Sequence, residues 1–164
     1  FGGCWIDDFD WGIHPKSKKF SIIASGKQQH PGHKMRHQII AGSQGRVDVF
    51  GGGYNPLDNK IDGLREYRYH FCIENINRDY WFTEKLIDCF VTGTIPIYWG
   101  CPSIGDFFNI EGMICFDELK HLPELIPSCT SELYESKLDA IKDNFKRAQK
   151  YRLAELTIPK LWDI

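Results

Sequence analysis

The sequence predicts an α/β fold, a Rossmann-like parallel sheet flanked by helices. Three observations carry this. Short stretches of β-forming apolar residues alternate with stretches whose apolar residues recur at helical spacing. Each apolar stretch runs directly into polar or glycine-rich residues, as strands do at the open edge of a parallel sheet. The chain has 164 residues, the size of one domain with a real core.

The elements follow in order. Residues 1–19 mix aromatics, acids, Gly and Pro without a period and read as a linker or lead-in, leaving 20–164 as the folded domain. Residues 20–24 (FSIIA) are strand-like. Within 32–43, Met35, Ile39 and Ile40 stand at helical spacing. Residues 46–50 (RVDVF) form a short strand ending in Gly51, Gly52 and Gly53, which suit a tight turn or a close backbone approach to a ligand. A helix is expected over 61–67 and a strand over 69–73. Leu86 and Phe90 share one face of a helix over 83–91. A strand over 94–99 (TIPIYW), a helical turn over 103–108 and a strand over 112–116 come next. The remainder, above all 132–156, reads as long helix with surface charge. Short strands alternating with helices imply parallel βαβ units with helices on both faces.

Composition narrows the function. The net charge of −2 and pI of about 6.3 supply no global attraction for nucleic acid or an anionic membrane, so neither partner is expected. No apolar run approaches the ~20 residues of a membrane span, and no secretory signal opens the chain. The first residue is Phe1, and the sequence reads as a piece of a longer protein. Its six cysteines show no metal-finger spacing. Cys72 and Cys115 fall in strand-like runs where a buried thiol is expected, which favours a reducing compartment. His30, His33 and His37 share no complete helix face and have no fourth ligand nearby, so they are not read as a zinc site. Asp7, Asp8 and Asp10 read as a solvated cluster, and the Phe107–Phe108 pair as core.

In open parallel sheets, ligands bind outside the carboxyl ends of the strands. Arg36, Asn75, Glu84 and Lys85, distant in sequence, all follow strand ends and converge on that rim. Two cations, a carboxylate, an amide and free backbone N–H groups suit a sugar nucleotide, with cations on the diphosphate. Lys85 raises a question of its own. It stands in the first turn of a helix, where a cation costs about 0.3–1 kcal/mol. Either an anion lies between it and the helix terminus, or it is solvated with its cost offset by Glu84.

The stretch FCIENINRDYWFTEK, residues 71–85, resembles the donor-binding half of glycosyltransferase family 10, the α-1,3/1,4-fucosyltransferases. Residues 87–109 are similar to that family's next strand and loop, and bacterial members come closest. The resemblance implies one half of a GT-B glycosyltransferase, the C-terminal nucleotide-sugar domain, with GDP-fucose as donor and no tightly bound cofactor or metal. It places Arg36 and Lys85 on the diphosphate. Asn75, Glu84 and the aromatic at position 81 fall on ribose and fucose hydroxyls. That aromatic is usually tyrosine; here it is Trp81, with Tyr80 one place earlier. Glu74 is read as orienting Asn75 and its loop, or as a donor contact. The implied reaction is transfer of fucose with inversion to an N-acetylglucosamine-containing glycan, with the general base in an N-terminal acceptor domain of the parent chain. A non-catalytic nucleotide-sugar module, or a transferase of another GDP-sugar, is the alternative. The expected location is cytoplasmic, membrane-peripheral included, for a bacterial-like protein and the Golgi lumen for a eukaryotic one.

Overall fold

In the computed structural model, residues 3–152 are described. Five strands form one fully parallel sheet: β1 (Lys18–Ile23), β2 (Asp48–Phe50), β3 (Tyr67–Ile73), β4 (Ile95–Trp99) and β5 (Ile114–Cys115), in the order β2-β1-β3-β4-β5. The helices are α1 (Pro31–Gly42), α2 (Glu84–Val91), α3 (Leu122–Ser128), α4 (Ser131–Ser136) and α5 (Leu138–Ala148). The chain winds from β1 outward to β2, then returns past β1 to β3. The topological switch therefore lies between β1 and β3, the place where open sheets of this kind hold ligands.

Both sheet faces are covered. On one, α2 packs Leu86, Ile87, Cys89 and Phe90 against Cys72, Tyr98 and Phe108. On the other, Ile39 of α1 and Leu122, Cys129 and Tyr134 cover Phe20, Ile22, Phe71 and Ile97. From Leu86 to Val91 helix α2 is buried on every side, and Leu86 and Ile87 are fully buried. Truncating such a residue to alanine costs roughly 2–5 kcal/mol.

Register explains how the cleft opens. The last partnered residues of β1 and β3 are Ser21 and His70. Beyond them β1 stays with β2 through Ile22–Val49 and Ile23–Phe50, while β3 stays with β4 as far as Ile73–Trp99. The two middle strands thus part at their carboxyl ends.

Several expectations need correction. The helix over 61–67 is a single 3-10 turn, Lys60–Gly63, and Tyr67 already belongs to β3. The three-residue spacing of Ile61, Leu64 and Tyr67 suits that tighter turn, and the sheet claims the tyrosine opposite Lys18. The long helix over 132–156 is divided at Lys137 into α4 and α5, followed by a 3-10 turn; its residues 153–156 lie outside the described residues. Helix α3, with Pro123 in its first turn and Pro127 inside, is a short separate helix within the remainder read as long helix. The strand over 112–116 shortens to two residues, and Cys115 is exposed there because β5 is an edge strand.

Residues 4–17 are packed against the domain. Ile6 is buried, Gly12 donates its N–H to the Val91 carbonyl (2.9 Å), and the Lys16 ammonium donates to Arg65 O, Thr92 O and Thr94 Oγ1. Asp8 pairs with Arg152, and Phe108 is buried against Phe90.

Candidate functional site

The parting of β1 and β3 leaves a cleft of ≈ 430 Å³ at their carboxyl ends. Arg36, Asn75, Glu84 and Lys85 all line it, Arg36 from α1, Asn75 from the end of β3, and Glu84 and Lys85 from the first turn of α2. A second groove, ≈ 330 Å³, lies between α1 and α3 on one sheet face, away from the strand ends. It is lined mainly by apolar residues such as Ile39, Leu122 and Ile126, so the polar chemistry belongs to the first.

Helix α1 is seated on the end of β3 by a glycine. A Cβ on Gly32 would lie 1.7 Å from the Glu74 carbonyl oxygen, and the Gly32 N–H donates to Asn75 O at 3.0 Å. Only glycine permits that approach. One turn later Arg36 is buried, its guanidinium donating from Nε and Nη2 to Ile73 O and from Nη2 to Asn75 Oδ1 (2.9 Å). These bonds leave Nη1 without a partner among the described residues. Burial, the largest influence, lowers the Arg36 pKa, but a guanidinium stays charged. At the helix start, the His30 N–H donates to His33 Nδ1 (3.3 Å), so two of the histidines cap α1. Burial and then the charges of Arg36, His30, Lys27 and Lys85 push the His33 pKa down, which marks this rim as electropositive. His37 contacts the Tyr54 hydroxyl at 2.7 Å.

The start of α2 answers the question posed by Lys85. Glu74, fully buried, accepts from the Thr83 N–H (2.8 Å) and the Thr83 hydroxyl (2.7 Å), and so supplies the anion at this helix terminus. The Lys85 ammonium donates to Thr83 Oγ1 (2.8 Å) and lies 3.5 Å from Glu74 and 3.3 Å from Glu84. It is not a solvated lysine. Burial acts to raise the Glu84 pKa, but Lys85, Lys60 and its own backbone N–H outweigh it, and the carboxyl sits below its ordinary value.

Three of the residues singled out by sequence do not line the cleft. Glu74 stands behind it, holding Thr83 and Lys85. Tyr80 and Trp81 lie on the outer loop, 63% and 46% exposed. Tyr80 adopts the left-handed region (φ 58°), donates its N–H to Ser103 Oγ (2.9 Å) and sets its ring edge-on to Phe107, which turns the aromatic pair outward. The backbone of Gly51 approaches Ala24 O so closely that a Cβ would lie 2.0 Å away, and at φ 107° it closes the β2 end of the cleft.

Sequence reasoning missed Trp5, Lys27, Lys60 and His70, which also line the cleft. Lys60 carries the strongest tie. Its ammonium lies 2.5 Å from Asp88 Oδ2, a fully buried carboxylate on α2, and 4.7 Å above the Trp5 ring. Asp88 Oδ1 accepts from the Trp5 N–H at 2.8 Å. The one available signal was an acid in the TEKLID stretch with no apolar role. Among the described residues, no group of three His, Cys, Asp or Glu could hold a metal ion.

No protein-family model matches the chain. The α-(1,3)-fucosyltransferase FucT of Helicobacter pylori is 39% identical over 74 residues, which make up 45% of this chain and 15% of that enzyme. The putative fucosyltransferase R654 of Acanthamoeba polyphaga mimivirus is 26% identical over 147 residues, 76% of this chain and 24% of that protein. The matches thus span under a quarter of these relatives' lengths. Among solved structures, an α1,3-fucosyltransferase with GDP-fucose superposes with a TM-score of 0.62 at 29% identity, covering 74% of this chain and 38% of that one. One with GDP gives 0.62 at 26%, covering 85% and 47%. By sequence over part of its length and by fold, the chain is similar to α-1,3-fucosyltransferases.

Proposed function

We propose that the cleft binds GDP-fucose and that the chain is the donor-binding domain of an inverting fucosyltransferase acting on an N-acetylglucosamine-containing glycan. The convergence of Arg36, Asn75, Glu84 and Lys85 at the β1–β3 switch point carries the reading. Nη1 of Arg36 and the ammonium of Lys85 face the diphosphate, where they stabilise the negative charge that grows on GDP as the sugar departs. The Glu84 carboxylate, held ionised by Lys85 and Lys60, accepts from sugar or ribose hydroxyls, and Asn75 orients them. Glu74 acts through Thr83 and Lys85 and does not touch the donor. Because the cations are side chains, binding needs no metal.

The test is titration with GDP, GDP-fucose and GDP-mannose, with and without EDTA. Ligand at a hundredfold excess over Kd stabilises the native state by about 2.7 kcal/mol. A rise in Tm with GDP that survives EDTA is the expected result. No shift with millimolar GDP, or one abolished by EDTA, overturns it.

A further inference from the structure

We propose that Lys60 and His70, on the inner wall and floor of the cleft, form a hydrogen-bond donor and acceptor pair that selects a guanine base. This rests on the GDP-sugar reading and adds to it the residues that read the base.

His70 is the last residue of β3 paired with β1, so it lies where the strands part and forms the floor. Ser21 Oγ spends its proton on the Gly63 carbonyl (2.7 Å) and stands 2.8 Å from His70 Nδ1. The hydroxyl must accept there, so Nδ1 carries the ring hydrogen and Nε2 is left as an acceptor. Burial, then the charges of Lys60 and Arg36, push the His70 pKa down to about 3, so the ring is neutral. Beside it, Lys60 is held by Asp88 and by the Trp5 ring, and its remaining N–H groups have no acceptor among the described residues.

The charges divide the cleft. Asp88 cancels the charge of Lys60 and His70 is neutral, so the inner end offers directional hydrogen bonds without net charge. That suits a heterocycle edge better than a phosphate. Arg36 has no carboxylate partner within hydrogen-bond reach among the described residues, and its charge remains for the diphosphate. Asp88, the partner of Lys60, stands one turn after Glu84 on α2, which sets Lys60 near the carboxylate assigned to hydroxyls in the cleft that His70 also lines. Base, ribose and diphosphate then follow in the order of the nucleotide itself. Lys60 Nζ donates to guanine O6, and His70 Nε2 accepts from N1–H. Adenine presents the reverse order at these positions, a donor at N6 and an acceptor at N1.

Calorimetric titration of the chain with GDP, inosine diphosphate and ADP tests this. Inosine diphosphate keeps O6 and N1–H and should bind like GDP, with ADP at least tenfold weaker. Lys60→Met should bring GDP and inosine diphosphate down to the level of ADP, with a much smaller loss for ADP itself. The double variant Lys60→Met/Asp88→Asn, which removes the buried unpaired charge, should do the same. Equal binding of GDP and ADP by the unaltered chain, or an equal loss for all three nucleotides in the variants, overturns the inference while leaving a nucleotide site in place. If the unaltered chain binds none of them, the GDP-sugar reading falls and this inference with it.

Discussion

Lys85 shows how one residue serves both fold and site. Its charge is balanced by Glu74 and Glu84 in the free protein, so a bound diphosphate competes with carboxylates already in place. Lys85→Ala leaves both Glu74–Thr83 hydrogen bonds intact. Denaturant unfolding should therefore show a loss below about 1 kcal/mol, the scale of a partly exposed ion pair. GDP affinity should fall by about 1.5–3 kcal/mol, the worth of a hydrogen bond to a charged group. Normal GDP binding by a poorly folded variant would make Lys85 a structural residue only. His70 supplies a second residue-scale prediction. With a folded pKa of about 3 against 6.5 when unfolded, the unfolded chain takes up the proton first. The contribution of His70 is therefore fully present above pH 6.5 and is lost as the pH falls from 6.5 towards 3. Two units below 6.5 the loss approaches 2–3 kcal/mol, at about 1.36 kcal/mol per unit. Between pH 7 and 4.5, His70→Gln should lose visibly less stability than the unaltered chain. Parallel curves for the two proteins would sink this assignment.

At the scale of elements, the site depends on how α1 meets the end of β3. A methyl group at Gly32 would strike the Glu74 carbonyl, which the sheet holds through the Glu74 N–H to Trp99 O bond (2.9 Å), so the helix must move and take Arg36 off Ile73 O. Gly32→Ala should cost about 1–3 kcal/mol, as overpacking does, and weaken GDP binding in step. Gly42, at the other end of the same helix, has open space where a Cβ would stand, and Gly42→Ala should leave both unchanged or raise stability slightly. Similar thermal and GDP titration curves for the two variants would refute the docking role of Gly32. These elements also show what the sequence could reveal. Apolar period and polar strand ends sufficed for the parallel sheet and for the rim on which Arg36, Asn75, Glu84 and Lys85 meet, Asn75 just past β3 and the others in the N-terminal halves of the helices that follow β1 and β3. Lys60 and His70 could not be read that way. One sits in a 3-10 turn whose apolar spacing imitates a helix, and the other faces a cleft created only by the register of β1 against β3. Tyr80 and Trp81 depart from expectation for a local reason, since a left-handed residue turns their loop outward. Where the sequence reads as one long helix, α3 is a short separate one with Pro127 inside it, and its burial rests on Leu122.

At the scale of the molecule, donor binding and sugar transfer should separate. An inverting transfer needs a base within about 2.6–3.2 Å of the acceptor hydroxyl, with a pKa near the working pH. Among the described residues, Glu84 is the one carboxylate lining the cleft, and its pKa lies below the ordinary range, which makes it a weak base. Glu74 and Asp88 are fully buried and already engaged, by Thr83 in one case and by Lys60 and Trp5 in the other. The chain aligns with 38% of the α1,3-fucosyltransferase solved with GDP-fucose, so most of that enzyme has no counterpart in it. Positioning of the reactants can supply roughly 7–11 kcal/mol of barrier lowering, and a cleft open to solvent forgoes much of it. The 164-residue chain should therefore bind GDP yet transfer no fucose to N-acetyllactosamine. A radiolabelled GDP-fucose assay at saturating donor measures this directly, with Lys85→Ala as the binding-deficient control. Product formation above that control, rising with acceptor concentration, would place a competent base within these residues, and the pH dependence of the rate would then identify its pKa.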